Sequence, residues 1–449
     1  MKIKILSYIR PATKKQYSFF VQNLTKKENI IYCSEHFSVD QTGLPHLYYS
    51  FLKKKNTLKN INLSSKDVDD FILRCRLLRN IKRSEALKHL IAMYMAIDKI
   101  LLKEKPTHVT FQTVDSYITD LIRLISKRRK IKCICVVGTF VNNHFRISSR
   151  GEKTLNKKKN KYISKLLPKF LKESYIPDYS KNSIRKPLLT KYKQWFRNLV
   201  GSFYFPIKRY LSNDFYNYHY WHNEIICKQY LSFFPPGDLG DINWEMKLKY
   251  KKKPSLYIPL QKYPEATIDY WCEDLELVKY YEFLEKLIKK LHKHFSLFIK
   301  EHPDVIAFRP KSFYSKITKD KRITLIPTNI NSNSIINKID GVVIWTGTVG
   351  FDSLIRGKAV FGLATPFFAN GKRFMKINLK TKIKKMIDHL NYCKKNKILN
   401  SEQRKSFDFV AKQLYKGKYK FHKEWSSSNS TDINDIKQMA KSCKHLFKV

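Results

Sequence analysis

No stretch of the chain approaches about 18 uninterrupted apolar residues, the minimum for a membrane-spanning helix, so none is expected. The opening "MKIKILSYIRPATKKQ" has a short apolar run broken by charge, which argues against a signal peptide. The eight cysteines (33, 75, 133, 135, 227, 272, 393 and 443) form no CxxC pair. Cys133 and Cys135 fall on one face of a predicted strand as core residues, and a reducing cytoplasm fits better than a disulfide scaffold. Neither GxGxxG nor a Walker A loop is present, no internal repeat is visible, and the histidines are scattered. The acidic run "DVDD" (67–70) opens a predicted helix, not a loop that could clamp Mg²⁺ on a diphosphate, so no metal site is expected.

Acidic residues are scarce: 37 Asp and Glu stand against 88 Lys and Arg, giving a formal charge of +51. Such an excess suits a phosphate-bearing ligand, nucleic acid or an anionic inner leaflet. A Lys-, Asn- and Ile-rich bias along the whole chain also fits an AT-rich genome, which would leave the charge as solvated surface. What is plentiful is core-forming material. Of 449 residues, 43% are apolar and 14% aromatic, enough for roughly two to three domains.

The first 149 residues alternate strand and helix. Strands are predicted at "MKIKILSYI", "NIIYCSEHF", "THVTFQT" and "IKCICVVGT", with amphipathic helices at "SKDVDDFILRCRLLRN", at 83–106 and at "DSYITDLIRLISKRRK". That order indicates a parallel α/β sheet. Residues 150–250 break the pattern: a lysine-dense, proline-interrupted stretch from Arg150 to about Lys193, then an aromatic helical stretch at 189–232. A second Rossmann-like unit follows over 251–379, and a basic helical tail over 380–449. Two α/β halves imply a cleft between them.

Three polar loops fall at predicted strand ends of the second half, where open α/β sheets bind ligands. "FIKEHPDVIAF" ends its strand on Lys300, Glu301, His302 and Pro303; a histidine held extended before proline can donate to a phosphate. "WTGTVGFDSLIRG" places Thr346, Gly347, Thr348 and Gly350 between strand and helix, where small residues admit a phosphate to backbone N–H groups. Asp352 follows on the first turns with Ser353 beside it, suited to ribose hydroxyls or to simple dipole complementarity. "YIPLQKYPEATIDYW" offers Gln261 and the carboxylate Glu265, a candidate acid or base. Each loop alone also reads as an ordinary capped turn; three at one sheet edge favour a nucleotide site. In the first half, Asp115, His144 and Arg146 lie in loops that should face the same cleft and receive an acceptor sugar, with "SEHF" (Glu35, His36) a weaker case.

The run from "YIPLQKYPEAT" through "LFIKEHPDV" and "FRPKSFYSKI" to "ITLIPTNINSNSIINKIDGVVIWTGTVGFDSLIRGKAVFGLATPFF" resembles the bacterial capsule polysaccharide biosynthesis family, which includes β-Kdo glycosyltransferases. The resemblance covers roughly 254–370. It implies a GT-B architecture, α/β with two Rossmann-like domains: an acceptor domain (1–149), a basic and aromatic helical linker (150–250), a nucleotide-sugar donor domain (251–379) and a helical tail (380–449). It further implies that His302 and the Thr346–Thr348 loop contact donor phosphate and that Asp352, where glutamate is expected, sits near ribose. Glu265 falls at the acidic position of a "PEAT"-like loop. Where the family often continues with a tyrosine-bearing loop, this chain reads "TPFFANG".

The expectation is a metal-independent, cytoplasmic glycosyltransferase of capsule or lipopolysaccharide assembly. It would need no cofactor beyond a nucleotide-sugar co-substrate, with CMP-Kdo the suggested donor, and would act on a saccharide or lipid-linked acceptor. The basic stretch at 150–193, with Lys157, Lys158 and Lys159, would hold it peripherally on the anionic inner membrane surface. A teichoic-acid-type phosphotransferase or a sugar-nucleotide epimerase shares the two-domain design. A basic nucleic-acid-binding protein is the non-enzyme alternative, but no zinc knuckle, RNP motif or helix-turn-helix appears, so no specific nucleic acid is expected.

Overall fold

The computed structural model describes residues 3–155, 166–172, 175, 177, 187–231, 240–302, 305, 309, 311–320, 323–418 and 430–447. Pro303 and the lysines at 157–159 lie outside the described residues.

The first unit runs β1 (Ile5–Tyr8), α1 (Lys14–Gln22), β2 (Ile30–Cys33), α2 (Leu44–Lys53), α3 (Ser65–Arg74), α4 (Arg83–Glu104), β3 (His108–Phe111), α5 (Tyr117–Arg128), β4 (Lys132–Gly138), β5 (His144–Arg150) and β6 (Lys153–Thr154). Ser64 and Ser116 cap α3 and α5 through their hydroxyls, which accept from Asp67 and Thr119 N–H. The short strands β1 and β3 are buried along their whole length, as parallel strands covered on both faces must be. A short helix α6 (Leu167–Leu171) leads to a helical hairpin, α7 (Pro187–Leu211) and α8 (Tyr218–Leu231).

The second unit follows: α9 (Trp244–Lys249), β7 (Ser255–Pro259), α10 (Ala266–Asp269), α11 (Tyr280–Leu291), β8 (Ser296–Lys300), α12 (Lys311–Thr318), β9 (Ile323–Ile326), α13 (Ser332–Lys338), β10 (Gly341–Ile344), α14 (Val349–Ile355), β11 (Ala359–Gly362) and β12 (Phe374–Lys376). The tail supplies α15 (Ile383–Lys395), α16 (Asn400–Ala411), β13 (Leu414–Lys416) and α17 (Ser430–Cys443).

The strand orders are β13-β5-β4-β3-β1-β2, with β6 on β5, and β12-β11-β10-β7-β8-β9. The second sheet is parallel throughout. The first is parallel from β2 to β4, but near its edge β5 runs antiparallel to both β4 and β13. Residues 144–150, expected as a loop, thus form a strand. Phe145 and Ile147 alternate with the polar but equally buried Arg146 and Ser148, so the strand has a period of two with both faces covered. The helical tail also returns to the first unit: β13 pairs with β5, and Ile436, Met439 and Cys443 of α17 join that unit's second core. The fold is α/β, with two Rossmann-like units.

What joins the units is a wedge, residues 266–273, that leaves β7 and enters the first unit's core beside Tyr117 and Tyr218. Three arginines hold it. Arg74, almost fully buried, donates to the carbonyls of Asp269 (2.8 Å), Cys272 (3.0 Å) and Glu273 (3.2 Å). Arg76 and Arg79 each take one oxygen of the fully buried Asp269 carboxylate, at 2.5 and 2.8 Å. Trp271 donates its indole N–H to the Val114 carbonyl at 3.0 Å. Its ring lies where a Cβ on Gly151 would stand only 2.0 Å away, and Gly151 also has φ +57°, so only glycine fits there.

Removing one partner of a buried charged network leaves the others uncompensated, at a cost of about 3–5 kcal/mol. We expect Asp269→Ala to lower the urea midpoint by a corresponding amount, or to split unfolding into two steps as the units separate. A single transition at the parental midpoint would show that the arginines are satisfied without it.

Candidate functional site

In both sheets the chain order reverses once. In the second, β7, β8 and β9 run outward one way and β10, β11 and β12 the other, so the switch point lies between β7 and β10. In the first it lies between β1 and β3. Loops diverge at such points and leave a crevice beyond the strand ends, which is where open α/β sheets take ligands.

At the second sheet's switch point the loops after β7 and β10 touch: a Cβ on Gly347 would stand 3.0 Å from Nε2 of Gln261. β8, next to β7, ends there on Lys300, whose carbonyl accepts from Leu260 N–H at 2.9 Å. Lys300 is buried, Glu301 and His302 partly so. Gln261, Lys300, Glu301, His302, Thr346, Gly347 and Thr348 therefore fall at the ends of three adjacent strands. Glu265 opens α10 in extended backbone and accepts from the Thr267 hydroxyl at 2.7 Å.

Several expected donor groups are engaged elsewhere. Glu301 is an anchor: its carboxylate takes the Arg309 guanidinium at 2.6 and 2.7 Å and the Tyr314 hydroxyl at 2.7 Å. Gly350 faces inward, where a Cβ would meet Ile344 at 2.2 Å and the Phe368 ring at 3.0 Å; its smallness serves packing. Ser353 is fully buried and donates to the Val349 carbonyl one turn back in α14. Asp352 lies 4.0 Å from Arg356, and burial pushes its carboxyl up to about 7.

Arg309 was not singled out from the sequence. It is fully buried, sits over the rings of Tyr280 and Tyr281 at 5.3 and 6.0 Å, and donates to the Gln261 carbonyl at 2.7 Å. One guanidinium thus ties the end of β8 to the loop after β7.

The first sheet's switch point is spanned by an ion pair. Arg10, after β1, grips Asp115, after β3, with two bonds of 2.8 and 2.7 Å. Beside it the Tyr8 hydroxyl donates to Glu35 at 2.5 Å, and the second Glu35 oxygen is buried without a hydrogen-bond partner. His36 and His219 pack 5.6 Å apart, and burial pulls each down to about 4, so both are neutral at pH 7. Of this cluster, Asp115 and the "SEHF" pair were visible in sequence; Tyr8, Arg10 and His219 were not, since nothing local marks them.

The other expected acceptor residues stand apart from this cluster. His144 starts β5, its ring nitrogen 2.9 Å from the Asn142 carbonyl, beside Lys416 of β13. Arg146 is buried against Phe367 (3.7 Å to the ring centre) and near Glu152 (3.9 Å), so it packs the units together and is closed to an acceptor. An open pocket of about 520 Å³, lined among others by His46, Tyr49, Lys53 and Asn213, lies off this seam on α2. Among the described residues no group of three His, Cys, Asp or Glu is placed to hold a metal ion.

Residues 237–371 match the family described as capsule polysaccharide biosynthesis protein. Capsule polysaccharide modification protein LipA of Neisseria meningitidis serogroup B is 23% identical over 147 residues, 32% of this chain and 20% of LipA. The protein of the same name from serogroup A is 23% identical over 118 residues, 26% of this chain and 16% of that one. The chain thus spans a fifth or less of the length of these curated relatives. Among solved structures, Thermosulfurimonas dismutans KpsC, beta Kdo 2,7 transferase, aligns over 92% of this chain and 90% of its own, at 12% identity and a TM-score of 0.35. UDP-GlcNAc 2-epimerase from Methanocaldococcus jannaschii aligns over 91% and 99%, at 14% identity and 0.28. Scores this low carry no argument about function. The family match is different in kind, because it spans β7 to β11 and every second-sheet loop described above. Over residues 237–371, less than a third of its length, the chain is similar to the capsule polysaccharide biosynthesis family.

Proposed function

We propose that the protein is a glycosyltransferase of surface-polysaccharide assembly, moving a sugar from a nucleotide donor to a saccharide or lipid-linked acceptor. The observation that carries this reading is the apposition of two switch points. The loop after β3 and the wedge after β7 are bonded directly, Trp271 to Val114, so the two crevices share one seam. One carries a lysine, a histidine and a glycine-bearing loop; the other carries carboxylates and a fixed arginine.

In this reading Lys300, His302 and the Thr346–Thr348 loop neutralise the donor diphosphate or monophosphate as it leaves, without need of a metal. Gln261 fixes the base or sugar. Glu265 takes the acceptor proton, with Glu35 the second carboxylate within the first sheet's cluster. CMP-Kdo is the donor suggested by the family resemblance, and a cytoplasmic protein reaching a lipid-linked acceptor would work at the inner face of the membrane.

His302→Ala should abolish transfer while leaving the melting temperature unchanged; turnover near the parental rate would refute the role of His302. Binding is read separately, by thermal shift with CMP, UDP, GDP and their sugars. A nucleotide at 100 times its Kd stabilises by about 2.7 kcal/mol. A selective CMP shift supports a Kdo-type donor, a UDP or GDP shift changes the donor, and no nucleotide shift defeats the reading.

Asp352 gives a pH signature. Its folded pKa of about 7 exceeds the ordinary 3.8, so the folded chain holds a proton that the unfolded chain releases. Stability from this group therefore falls as pH rises from about 4 to about 7. Asp352→Asn should gain on the parent as pH rises, seen as a gap between urea midpoints that widens from pH 4.5 to pH 8. A constant gap would mean that the carboxyl is solvated.

A further inference from the structure

Helix α7 is built inside out. Its inward side is polar or small: Asn198 and Ser202 are 2% and 7% exposed, a Cβ on Gly201 would press on Cys227 of α8, and Arg209 pairs with Glu224 of α8 at 2.5 Å. Its outward side is apolar. Tyr192, Phe196, Val200, Phe203, Ile207, Tyr210 and Leu211 are all about half to three-quarters exposed, Phe203 at 66% and Leu211 at 74%. At 3.6 residues per turn these fall within an arc of about 120°. The patch continues past the helix end through exposed Phe215 and Tyr216 to Tyr49 and Phe37, whose rings stack 6.1 Å apart.

A soluble helix would point this stripe at the core. Here the core side is already filled, so the stripe must be covered by something else. Charge says what. The helix carries five Lys and Arg and no Asp or Glu. Lys193, Arg197 and Lys208 are exposed along one border of the stripe, at about 100–160° on the same wheel. Lys53 and Lys54 line the pocket at its far end with Asn213. Two copies of a chain of charge +51 would repel across such a face, whereas an anionic leaflet attracts it. Aromatic rings and long cationic stems are also the groups that settle at a lipid headgroup boundary.

We propose that α7 is a membrane-docking helix that lays its apolar stripe into the surface of an anionic lipid leaflet, with Lys193, Arg197 and Lys208 at the headgroups. The inference stands on the helix and not on the transfer reading. It also moves the expected contact from the lysine-dense stretch around 157–159, which lies outside the described residues, to a defined surface.

The test is sedimentation of the full chain with vesicles of phosphatidylcholine alone and with roughly one-third phosphatidylglycerol, at low and high salt. The parent should bind the anionic vesicles more tightly. Phe196→Ser, Phe203→Ser and Ile207→Ser combined should weaken that binding at least about tenfold with an unchanged melting temperature, because all three side chains are exposed. Lys193→Glu, Arg197→Glu and Lys208→Glu combined should remove the preference for anionic lipid. Parental vesicle binding by the serine variant would overturn the proposal. So would a parent dimer that the serine variant dissolves while vesicle binding stays unchanged, which would make a second copy the occupant.

Discussion

The carboxylate of Asp269 is the point on which the two halves turn. It is fully buried, and two guanidiniums from the other unit hold its two oxygens while a third holds the backbone behind it. A charge in that position is tolerable only if every partner stays in place. The clamp therefore fixes more than a contact. It anchors the chain that follows β7, and so where the loop bearing Gln261 and Glu265 stands relative to the first sheet's edge. A hydrophobic seam of equal area could slide; a carboxylate shared between two arginines has one register.

The same economy appears at each crevice. Arg309 with Glu301, and Arg10 with Asp115, are pairs that span neighbouring strand ends and fix where the groups beside them stand. In both places the ion pair is the scaffold. The residues next to it, His302 and Lys300 on one side, Glu35 and His36 on the other, are the ones whose positions such a scaffold would preserve.

Much of this was legible before the fold was known, and the reasons for the gaps are physical. Buried parallel strands announce themselves as short apolar runs, which is why β7, β8, β10 and β11 could be placed from letters alone. Strand ends followed from them, and with them His302 and the Thr346–Thr348 loop. β5 was missed because the buried polar residues Arg146 and Ser148 alternate with Phe145 and Ile147, so a run of apolar letters never forms. Gly350 and Ser353 were read as ligand groups because a glycine that relieves packing and one that admits phosphate look alike in sequence. The clamp was invisible for another reason: Arg76 and Asp269 are 193 positions apart, and "RCRLLRN" reads as an ordinary charged helix end. Only a surrounding that removes water makes those charges special.

The return of the tail to the first sheet bears on how the chain is made. The 144–146 end of β5 keeps a bare edge until residues 414–416 arrive to pair with it, and the core around Ile5 and Phe145 lacks α17 until residues 430–443 are present. Synthesis runs from the N-terminus, so this unit is begun before the second and completed after it. During that interval the second sheet is already whole, since it is contiguous from β7 to β12. Until then the earlier half carries an open strand edge that a neighbouring nascent chain could borrow.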